Sequence, residues 1–578
     1  MKYYVEKEHL NVSNEASNDI LKISFGSGEV SVVRRSKEEL IPVVDFKESL
    51  FVFGAITLKT RKLIIMAKSA KEVGHVYGKK VFKIVLFEIV PVKLHNQSKS
   101  DEKEDYICYE LIEKALKTRE LLFCEHFDLS KTTQSIFVEK DQNKRSDFFI
   151  PELDKQNYEL SDLQFIWNGH ILKEFIEKKA FQFVQPVING YVGNFEDANE
   201  NLFTIISRRS VRRDGMRLLS RGIDEKGNVS NFVETETILQ RDVEPKNDEL
   251  VTMNFVSFVC CRGSIPLFWK QKQDLSRKPA ILLNKDKNKN LKAFRAHIEN
   301  LKSYGDLVLV NLVDSSGREK VLGEEYLDVV DRYNSELDGK EGFGRKVEYI
   351  GFDFHLECDK LGIANAKKLL QQIERRFDEM CFEGKVSIIN EKVITETIKT
   401  QKCTCRINCM DNLDRTNLVQ SLITTNFFKN LNSEKLARIW VNNGDCLSRQ
   451  YSGTNALKSD WTKTGRRSFI GLLNDGRNSL NRYRKKTFED APISDGLNIF
   501  LGKFSPSQNR LRVYKQKFNF YVGAFVFAFS FLVLEYLSSL KNGKNGISRI
   551  GSVLVSVGIS VYVGFKLRIS RMMTETDE

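Results

Sequence analysis

One short stretch of this chain has residue types and spacing that suit phosphate chemistry. Cys409 and Arg415 are separated by five residues, and Thr416 follows directly. Five intervening residues allow a loop to curl around a tetrahedral phosphate with its backbone N–H groups pointing inward. The same spacing arises by chance in many proteins, so it is weak evidence alone. It predicts a phosphate-binding loop that the rest of the chain must position.

The residues after this loop predict a helix whose N-terminus would face a bound phosphate. Apolar residues recur there with helical spacing, at Leu418, Val419, Leu422, Ile423 and Phe427. The positive end of a helix dipole favours both a phosphate and a thiolate. Cys409 is therefore the predicted nucleophile, and Arg415 is expected to donate to two phosphoryl oxygens as charge develops on them. Thr416 is expected to donate a hydrogen bond to the sulfur.

The predicted phosphate-binding set consists of the residues that follow the cysteine. They are Met410, Asp411, Asn412, Leu413, Asp414, Arg415 and Thr416. A metal site is the alternative, because Cys403 and Cys405 lie close to Cys409. However, Cys-x-Cys-x3-Cys is not a usual zinc spacing, and no histidine or matching cysteine pair is near. We expect neither a metal nor another cofactor, because Arg415 and the loop amides supply positive charge.

The run RINCMDNLDRTNLVQ, which contains the loop, resembles the signature of the Sac-domain phosphoinositide phosphatases, commonly RTNCIDCLDRTNVVQ. Among the positions where the chain departs from that signature, Ile407 and Asn412 replace a threonine and a second cysteine of the family. Four further blocks are similar to blocks of the family and follow in the same order, at 207–236, 257–271, 349–358 and 442–467. Several ordered blocks are far more specific than the loop alone.

The resemblance implies an α/β catalytic domain with a cysteine-phosphatase loop, preceded by a β-rich subdomain and followed by a two-helix transmembrane hairpin. It implies hydrolysis of phosphatidylinositol 4-phosphate, or also of the 3-phosphate, through a phosphocysteine. A protein phosphatase with the same loop chemistry is one alternative. A non-catalytic scaffold that binds phosphoinositides is the other.

Two carboxylates of the loop are candidates for the proton donor to the leaving inositol hydroxyl. Asp411 lies two residues after the nucleophile and resembles a family position proposed as the acid. Like charge from phosphate and thiolate should raise the pKa of Asp411, which would let it donate. Asp414 is expected instead to brace the loop through hydrogen bonds to backbone or guanidinium groups. We favour Asp411 as the acid.

The first third of the chain is typical of a strand-rich unit. Short β-branched and aromatic runs lie at 41–44, 51–58, 63–66 and 81–90. The acidic stretch 96–105 predicts a loop, and 106–119 predicts a helix. The predicted divisions of the chain are 1–178 for the β-rich subdomain, 179–501 for the catalytic domain, 502–517 for a basic linker, 518–567 for the hairpin and 568–578 for a short tail.

The central part of the chain is typical of an α/β domain. Buried strands are predicted at 307–313 and 349–354, with helices at 321–335 and 362–380. This alternation favours a largely parallel sheet, in which ligands bind at the carboxyl ends of the strands. His355 and Glu357 follow a predicted strand and are expected to support the site rather than to act directly. Ile265, Leu267 and Trp269 are expected to form core beneath the loop.

The charge balance predicts an anionic partner. At 578 residues the chain should hold at least two domains, and its net charge is +13. We expect most of one arginine cluster to attract a membrane and a few members to reach substrate; it comprises Arg208, Arg209, Arg212, Arg213, Arg217 and Arg221. Nucleic acid is disfavoured, because interleaved aromatic residues and a docking motif are missing. Protein partners stay open.

The C-terminal region predicts a membrane anchor. Residues 518–534 and 550–565 are uncharged apolar runs of near-minimal length for a bilayer helix. Basic residues are more numerous outside the pair than in the turn between the runs, which predicts a hairpin with both termini and the catalytic domain in the cytosol. Short runs suit a thin bilayer, so we expect the endoplasmic reticulum membrane or the Golgi. Two soluble core helices are the alternative.

Overall fold

The structure, a computed structural model, describes residues 1–503 except 7, 15–16, 35–45, 96–97, 143, 145–146, 151–152, 244–249, 273–275, 277, 339–344, 360–361, 390–391, 430 and 466–467. The strand predicted at 41–44 lies outside the described residues. So do the hairpin, the tail and all but the first two residues of the linker. No helix within the described ranges is both long enough and apolar enough to cross a bilayer.

The strands of the described residues number twenty, and helices lie between some of them in both halves of the chain. They are β1 (Lys2–Glu6), β2 (His9–Ser13), β3 (Asp19–Ser24), β4 (Val30–Arg34), β5 (Lys47–Glu48), β6 (Phe51–Thr57), β7 (Arg61–Val76), β8 (Lys79–Lys93), β9 (Leu121–Phe123), β10 (Ile188–Glu196), β11 (Leu202–Arg209), β12 (Val233–Val243), β13 (Leu250–Arg262), β14 (Trp269–Gln271), β15 (Ile281–Leu283), β16 (Asp306–Asn311), β17 (Glu348–Gly351), β18 (Phe382–Ile389), β19 (Lys392–Lys399) and β20 (Cys403–Asn408).

The α-helices are concentrated toward the C-terminal end of the described chain. They are α1 (Lys99–Leu116), α2 (Thr133–Asp141), α3 (Lys155–Leu160), α4 (Gly169–Glu177), α5 (Lys287–Asn300), α6 (Lys320–Leu337), α7 (Lys367–Glu374), α8 (Asp414–Phe427), α9 (Ser433–Ser452), α10 (Ser459–Thr464), α11 (Phe469–Phe488) and α12 (Asp490–Phe500). The helix predicted at 321–335 is confirmed as α6. Only part of the helix predicted at 362–380 is α-helical, as α7.

A large mixed sheet of thirteen described strands organises the molecule. Its main order is β17-β16-β20-β13-β12-β11-β10-β9-β8-β7-β6, with β18 paired to β13 and β19 to β18. A separate sheet has the order β4-β3-β2-β1-β5. The expectation of an α/β fold with a large sheet is confirmed for the described residues.

The prediction of a largely parallel sheet is wrong. Parallel pairing joins only β13 to β20, β20 to β16 and β16 to β17, and the other pairs of this sheet are antiparallel. The reason lies in the connections. Parallel neighbours need a long crossover, which α5 and α6 supply, whereas strands joined by short turns pair as hairpins.

The N-terminal strands were predicted well, but one helix boundary was not. The runs at 51–58, 63–66 and 81–90 are confirmed within β6, β7 and β8. Residues 99–105 of the acidic stretch assigned to a loop instead form the first turns of α1. The Ser98 side chain accepts a hydrogen bond from Asp101 N at 3.2 Å, and Asp101 and Glu102 in the first turn suit the positive end of the helix dipole.

One sheet runs through the division predicted at residue 178. Strand β9 pairs with β8 on one side and with β10 on the other. The strands assigned to the β-rich subdomain and those of the catalytic half are therefore continuous in hydrogen bonding. The domain boundaries themselves stay predictions.

Close packing of α12 against α1 depends on one glycine. A Cβ added at Gly496 would lie 2.1 Å from the carbonyl oxygen of Leu111, so no side chain fits without backbone movement. Gly476 in α11 is also a helical glycine, but it has open space around it, because nothing lies within 4 Å of an added Cβ.

We expect Gly496→Ala to lower the free energy of unfolding by about 1–3 kcal/mol, because it forces two helices apart. Gly476→Ala should raise it by up to about 1 kcal/mol through helix propensity alone. Thermal melting of the two purified variants beside the wild type measures both shifts. Equal shifts of the two variants would contradict the close helix contact.

Candidate active site

The loops that follow the four parallel strands meet at one edge of the sheet. Strand β20 ends at Asn408, β13 at Arg262 and β16 at Asn311. Parallel registry brings Asn311 opposite Asn408, and Arg262 opposite Ile407. The carboxyl ends therefore coincide, which is where open sheets of this kind bind ligands. The loop that begins at Cys409 leaves the sheet here, as the sequence predicted.

The predicted helix after the loop is confirmed as α8, and its first turn is open to an anion. Leu413 precedes the helix and provides no side-chain cap. The first N–H groups of a helix have no intrahelical partner, so they are available to an anionic ligand. Asn412 lies before this turn with a φ of 54°, a left-handed conformation that bends the loop back toward α8.

The sulfur of the predicted nucleophile is covered. Cys409 is 2% exposed and packs in an apolar cluster with residues of β16 and α8. Three buried guanidinium groups, those of Arg221, Arg262 and Arg415, interact electrostatically with the Cys409 sulfur. Burial lowers the pKa of Arg262 to about 9, although the Cys409 sulfur opposes that shift. Burial likewise opposes the charge of Arg415, but the sulfur and two carboxylates outweigh it and raise the pKa.

The guanidinium of Arg415 is bound to protein acceptors. Its two terminal nitrogens donate to both Glu319 oxygens at 2.9 and 3.0 Å, to Asp314 Oδ1 at 3.1 Å and to the Leu312 carbonyl at 2.9 Å. No hydrogen bond from Arg415 to the sulfur is found among the described atoms. To donate to phosphoryl oxygens, this side chain must first exchange some of these carboxylate contacts.

Two arginines outside the loop bind Asp411. Arg217 donates to Asp411 Oδ2 at 2.8 Å, and Arg221 donates to Asp411 Oδ1 and, at 3.0 Å, to the Met410 carbonyl. Burial alone would raise the pKa of Asp411, but the two guanidinium groups hold it well below its ordinary value. The pKa of Asp411 is thus lowered in the free protein, because two arginines that no local pattern reveals pair with it. The raised pKa expected beside a bound phosphate and a thiolate stays a prediction.

Asp414 makes the contacts expected of a loop brace. Its Oδ1 accepts a hydrogen bond from the backbone N–H of Leu457 at 2.6 Å, and its two oxygens pair with Arg482 at 3.3 and 3.4 Å. Arg482 belongs to α11, and Leu457 lies in the connection between α9 and α10. Asp414 thus ties the start of α8 to two later segments of the chain.

The expected hydrogen bond from Thr416 to the sulfur is absent. The Thr416 hydroxyl is buried and has no hydrogen-bond partner in the described structure. Both polar side-chain atoms of Asn412 are likewise buried without a partner. A buried polar group without a partner is costly, so these two side chains are ready to donate or accept when the loop rearranges.

The arginine cluster of residues 208–221 is largely internal, so the expected membrane role for most of its members is wrong. Arg208 and Arg209 are fully buried in strand β11. Arg208 forms ion pairs with Glu234 at 2.8 Å and with Glu236 at 2.7 Å, both on the neighbouring β12. Of the six, Arg217 and Arg221 reach the catalytic loop, and sequence spacing alone does not distinguish them from the others.

His355 contacts the site through another residue. Its Nδ1 lies 2.6 Å from Asp314 Oδ1, the same oxygen that accepts from Arg415. The supporting role predicted for His355 fits this contact. Glu357 instead pairs with Lys368 at 2.9 Å, away from the loop. Asp314 and Glu319, which hold Arg415, were missed because no local motif marks them.

The core expected beneath the loop is present. Ile265, Leu267 and Trp269 are buried, and they belong to the same apolar cluster as Met410. The Arg221 guanidinium lies over the ring of Trp269, with 5.3 Å between the guanidinium carbon and the ring centroid. This cation–π contact orients an arginine that binds Asp411.

A basic cavity of about 210 Å³ opens beside the loop. Met410, Asp411 and Asp414 line it, while Cys409 is not among its lining residues. Its cationic lining residues come from four segments of the chain and are Arg217, Arg221, Lys278, Arg318, Arg482 and Lys486. Six cations against two carboxylates make this a cavity that attracts an anion.

The family of the chain follows from comparison with known proteins. The model of the SacI homology domain matches residues 50–359, which is more than half of the chain. This chain belongs to the Sac family. The resemblance inferred from the loop and the ordered blocks is therefore confirmed.

Named relatives from three kingdoms are similar over most of their length. Phosphatidylinositol-3-phosphatase SAC1-A of Danio rerio is 32% identical, over 86% of this chain and 83% of the relative. Phosphatidylinositol-3-phosphatase SAC1 of Saccharomyces cerevisiae is 33% identical, over 79% and 72%. Phosphoinositide phosphatase SAC7 of Arabidopsis thaliana is 30% identical, over 86% and 81%. The prediction of a phosphatidylinositol phosphate phosphatase is confirmed at the level of the family.

Proposed function

We propose that this protein hydrolyses the phosphate monoester of phosphatidylinositol 4-phosphate, and also of the 3-phosphate, with Cys409 as nucleophile. The observation that carries the proposal is the Cys409–Thr416 loop at the carboxyl edge of the parallel strands, beside a cavity with six cationic side chains. The names of the Danio and Saccharomyces relatives support the 3-phosphate as a substrate. The resemblance of the catalytic loop supports the 4-phosphate.

The proposed reaction has two steps. The Cys409 thiolate attacks phosphorus, the bond from phosphorus to the inositol oxygen breaks, and the leaving oxygen takes a proton from an acid. Water then attacks the phosphocysteine, and inorganic phosphate leaves as the thiolate is restored. The amides of residues 410–416 and Arg415 stabilise the charge on the phosphoryl oxygens. Arg415 takes up this role once it leaves Asp314 or Glu319.

We propose Asp411 as the acid of the first step, activated by the substrate itself. In the free protein Arg217 and Arg221 keep this carboxylate ionised. A phosphate dianion in the cavity competes for the same two guanidinium groups, because Arg binds phosphate and carboxylate in the same bidentate manner. Transfer of either arginine to the phosphate, together with the added negative charge, would raise the pKa of Asp411 toward a protonated form.

We also propose that residues 518–567 form a hairpin in the endoplasmic reticulum membrane, with the Golgi as a further location. Two uncharged apolar runs with basic outer flanks support it. The catalytic domain and both termini would then face the cytosol. Enzyme and lipid confined to one membrane meet at a raised effective concentration.

Replacement of the nucleophile tests the enzyme class. Cys409→Ser should lower phosphate release from phosphatidylinositol 4-phosphate vesicles by roughly 10³-fold or more, because a serine hydroxyl is not ionised at neutral pH. Cys108→Ser, which alters a buried thiol of α1, should retain activity. The readout is free phosphate, with each phosphoinositide isomer and a phosphotyrosine peptide as substrates.

Each outcome of that panel separates two functions. Faster turnover of the peptide than of every lipid would favour a protein phosphatase. Lipid binding without turnover by the wild type would favour a scaffold. A clear preference for one phosphoinositide isomer fixes the positional specificity.

The assignment of Asp411 as the acid is tested with two substrates whose leaving groups differ in their need for a proton. Asp411→Asn should slow hydrolysis of the lipid by about 10²–10⁴-fold but that of p-nitrophenyl phosphate by less than about tenfold, because p-nitrophenolate leaves without a proton. Asp414→Asn is the control, and as a brace it should slow both substrates by the same factor. Equal losses for Asp411→Asn on both substrates would remove it as the acid.

The hairpin is tested by thiol labelling of intact microsomes. The cysteines of the described chain are all buried, so they should react slowly with a maleimide. Labelling of a cysteine introduced in the C-terminal region can therefore be measured against a low background. We expect a membrane-impermeant maleimide to label Thr574→Cys directly and Gly543→Cys only after the membrane is permeabilised. Labelling of both sites in intact vesicles would contradict the hairpin.

A further inference from the structure

Helix α11 exposes an apolar surface that is unusual for a folded domain. The exposed fractions are 75% for Phe469, 71% for Ile470, 52% for Leu472, 59% for Leu473 and 70% for Leu480. One exposed leucine is ordinary, but several large apolar side chains on one helix mark a surface that binds something apolar. We call these five residues the α11 apolar face.

Cationic side chains accompany this face. Phe469, Leu473 and Leu480 follow one stripe of the helix, and Arg477 and Arg484 lie on the same stripe and are exposed. Arg484 forms a surface ion pair with Glu489 at 3.3 Å. Apolar side chains with arginines among them are the composition of helices that lie in a membrane interface, where the guanidinium groups reach the headgroups.

The other side of the same helix belongs to the catalytic cavity. Ser479, Arg482, Tyr483 and Lys486 line it, and Arg482 pairs with Asp414 at the start of α8. Whatever binds the α11 apolar face is therefore one helix diameter, about 10 Å, from the wall of the cavity. A lipid headgroup extends from a bilayer over a similar distance.

The chain itself limits how far this face can be from a bilayer. The apolar run that begins at residue 518 follows only 14 residues after Lys503, the last described residue. Fourteen residues span at most about 50 Å when fully extended. If that run lies in a membrane, Lys503 stays within about 50 Å of the same membrane, and α12 is the only helix between Lys503 and α11 in the described chain.

We infer that the α11 apolar face docks onto an anionic bilayer and so directs the basic cavity at the headgroups of its lipids. This inference deepens the proposed function and rests on the substrate being a membrane lipid. The occupant is a lipid surface, because the arginines among the apolar residues complement anionic headgroups and the cavity behind the helix is cationic. The residues of the face take no part in the chemistry, so the surface acts on substrate presentation alone.

Lipid quenching tests the contact without any need for turnover. The full-length Leu473→Trp variant is reconstituted into vesicles of phosphatidylcholine with roughly 20 mol% phosphatidylserine, in which the phosphatidylcholine carries brominated acyl chains. We expect the added indole to be quenched strongly by brominated lipid, and less in vesicles without phosphatidylserine. Ile394→Trp on strand β19 is the matched control, because Ile394 is 53% exposed and should not be quenched.

Activity supplies the second measurement. Leu473→Ser with Leu480→Ser should lower hydrolysis of vesicle-borne substrate by about fivefold or more, because two apolar contacts with lipid are lost. Turnover of a short-chain, water-soluble phosphoinositide should not change. Ile394→Ser with Ile398→Ser alters two exposed apolar residues elsewhere and should leave both substrates unaffected.

The results distinguish the docking surface from the proposed reaction. An indole at position 473 that is shielded before lipid is added and is not quenched by brominated lipid would show that protein, from this chain or a second copy, covers the face, and would overturn the inference. Equal losses on soluble and vesicle-borne substrates would overturn it too. Strong quenching in a protein that releases no phosphate from any lipid would uphold docking and overturn the proposed function.

Discussion

The catalytic loop depends on guanidinium groups buried behind and beside it. Arg406 in β20 donates to Asn408 at 2.6 Å and to the Ser264 carbonyl, which joins the strand before the nucleophile to the loop after β13. Arg262 donates to Asn417 at 3.2 Å and to Gln420, both on α8. Both guanidinium groups are buried and bind neutral acceptors, and Nε and Nη1 of Arg262 have no partner in the described structure. Loss of one of the remaining hydrogen bonds would be costly, so these bonds constrain the elements that they join. These contacts hold the loop both at the strand before it and at the helix after it.

On the side of the loop that faces the basic cavity, arginines are paired with carboxylates, and an anionic ligand can replace these carboxylates. Arg217, Arg221 and Arg415 all hold carboxylates that a phosphate dianion resembles in the sign of its charge and in the spacing of its oxygens. By contrast, Arg262 and Arg406, which lie behind the loop, bind mainly amide and carbonyl oxygens. A phosphate does not resemble these neutral groups. Binding of an anion can therefore rearrange the pairs on the cavity side while the contacts behind the loop keep the backbone in register.

The features that could be predicted from the sequence are those that a short local pattern of residues specifies. The nucleophile loop, helix α8 and the strands of β6 to β8 are each specified by residues within a single stretch, so spacing and periodicity sufficed. The ion pair of Arg217 with Asp411 joins residues 194 positions apart, and that of Arg415 with Glu319 joins residues 96 positions apart. No local pattern carries such pairing. For that reason the lowered pKa of Asp411 in the free protein was missed and the arginine cluster was misassigned.

The continuity of the large sheet across β9 has a consequence for how the chain can be divided. Strand β9 is only three residues long, yet it fills the place between β8 and β10. A fragment that starts after residue 178 would remove β9 and leave Ile188 and Asn189 of β10 without their strand partners. It would add amide and carbonyl groups to a sheet edge through which chains can stack on one another. The N-terminal third therefore protects this part of the sheet edge in the catalytic half, so at β9 the two predicted domains are not independent units.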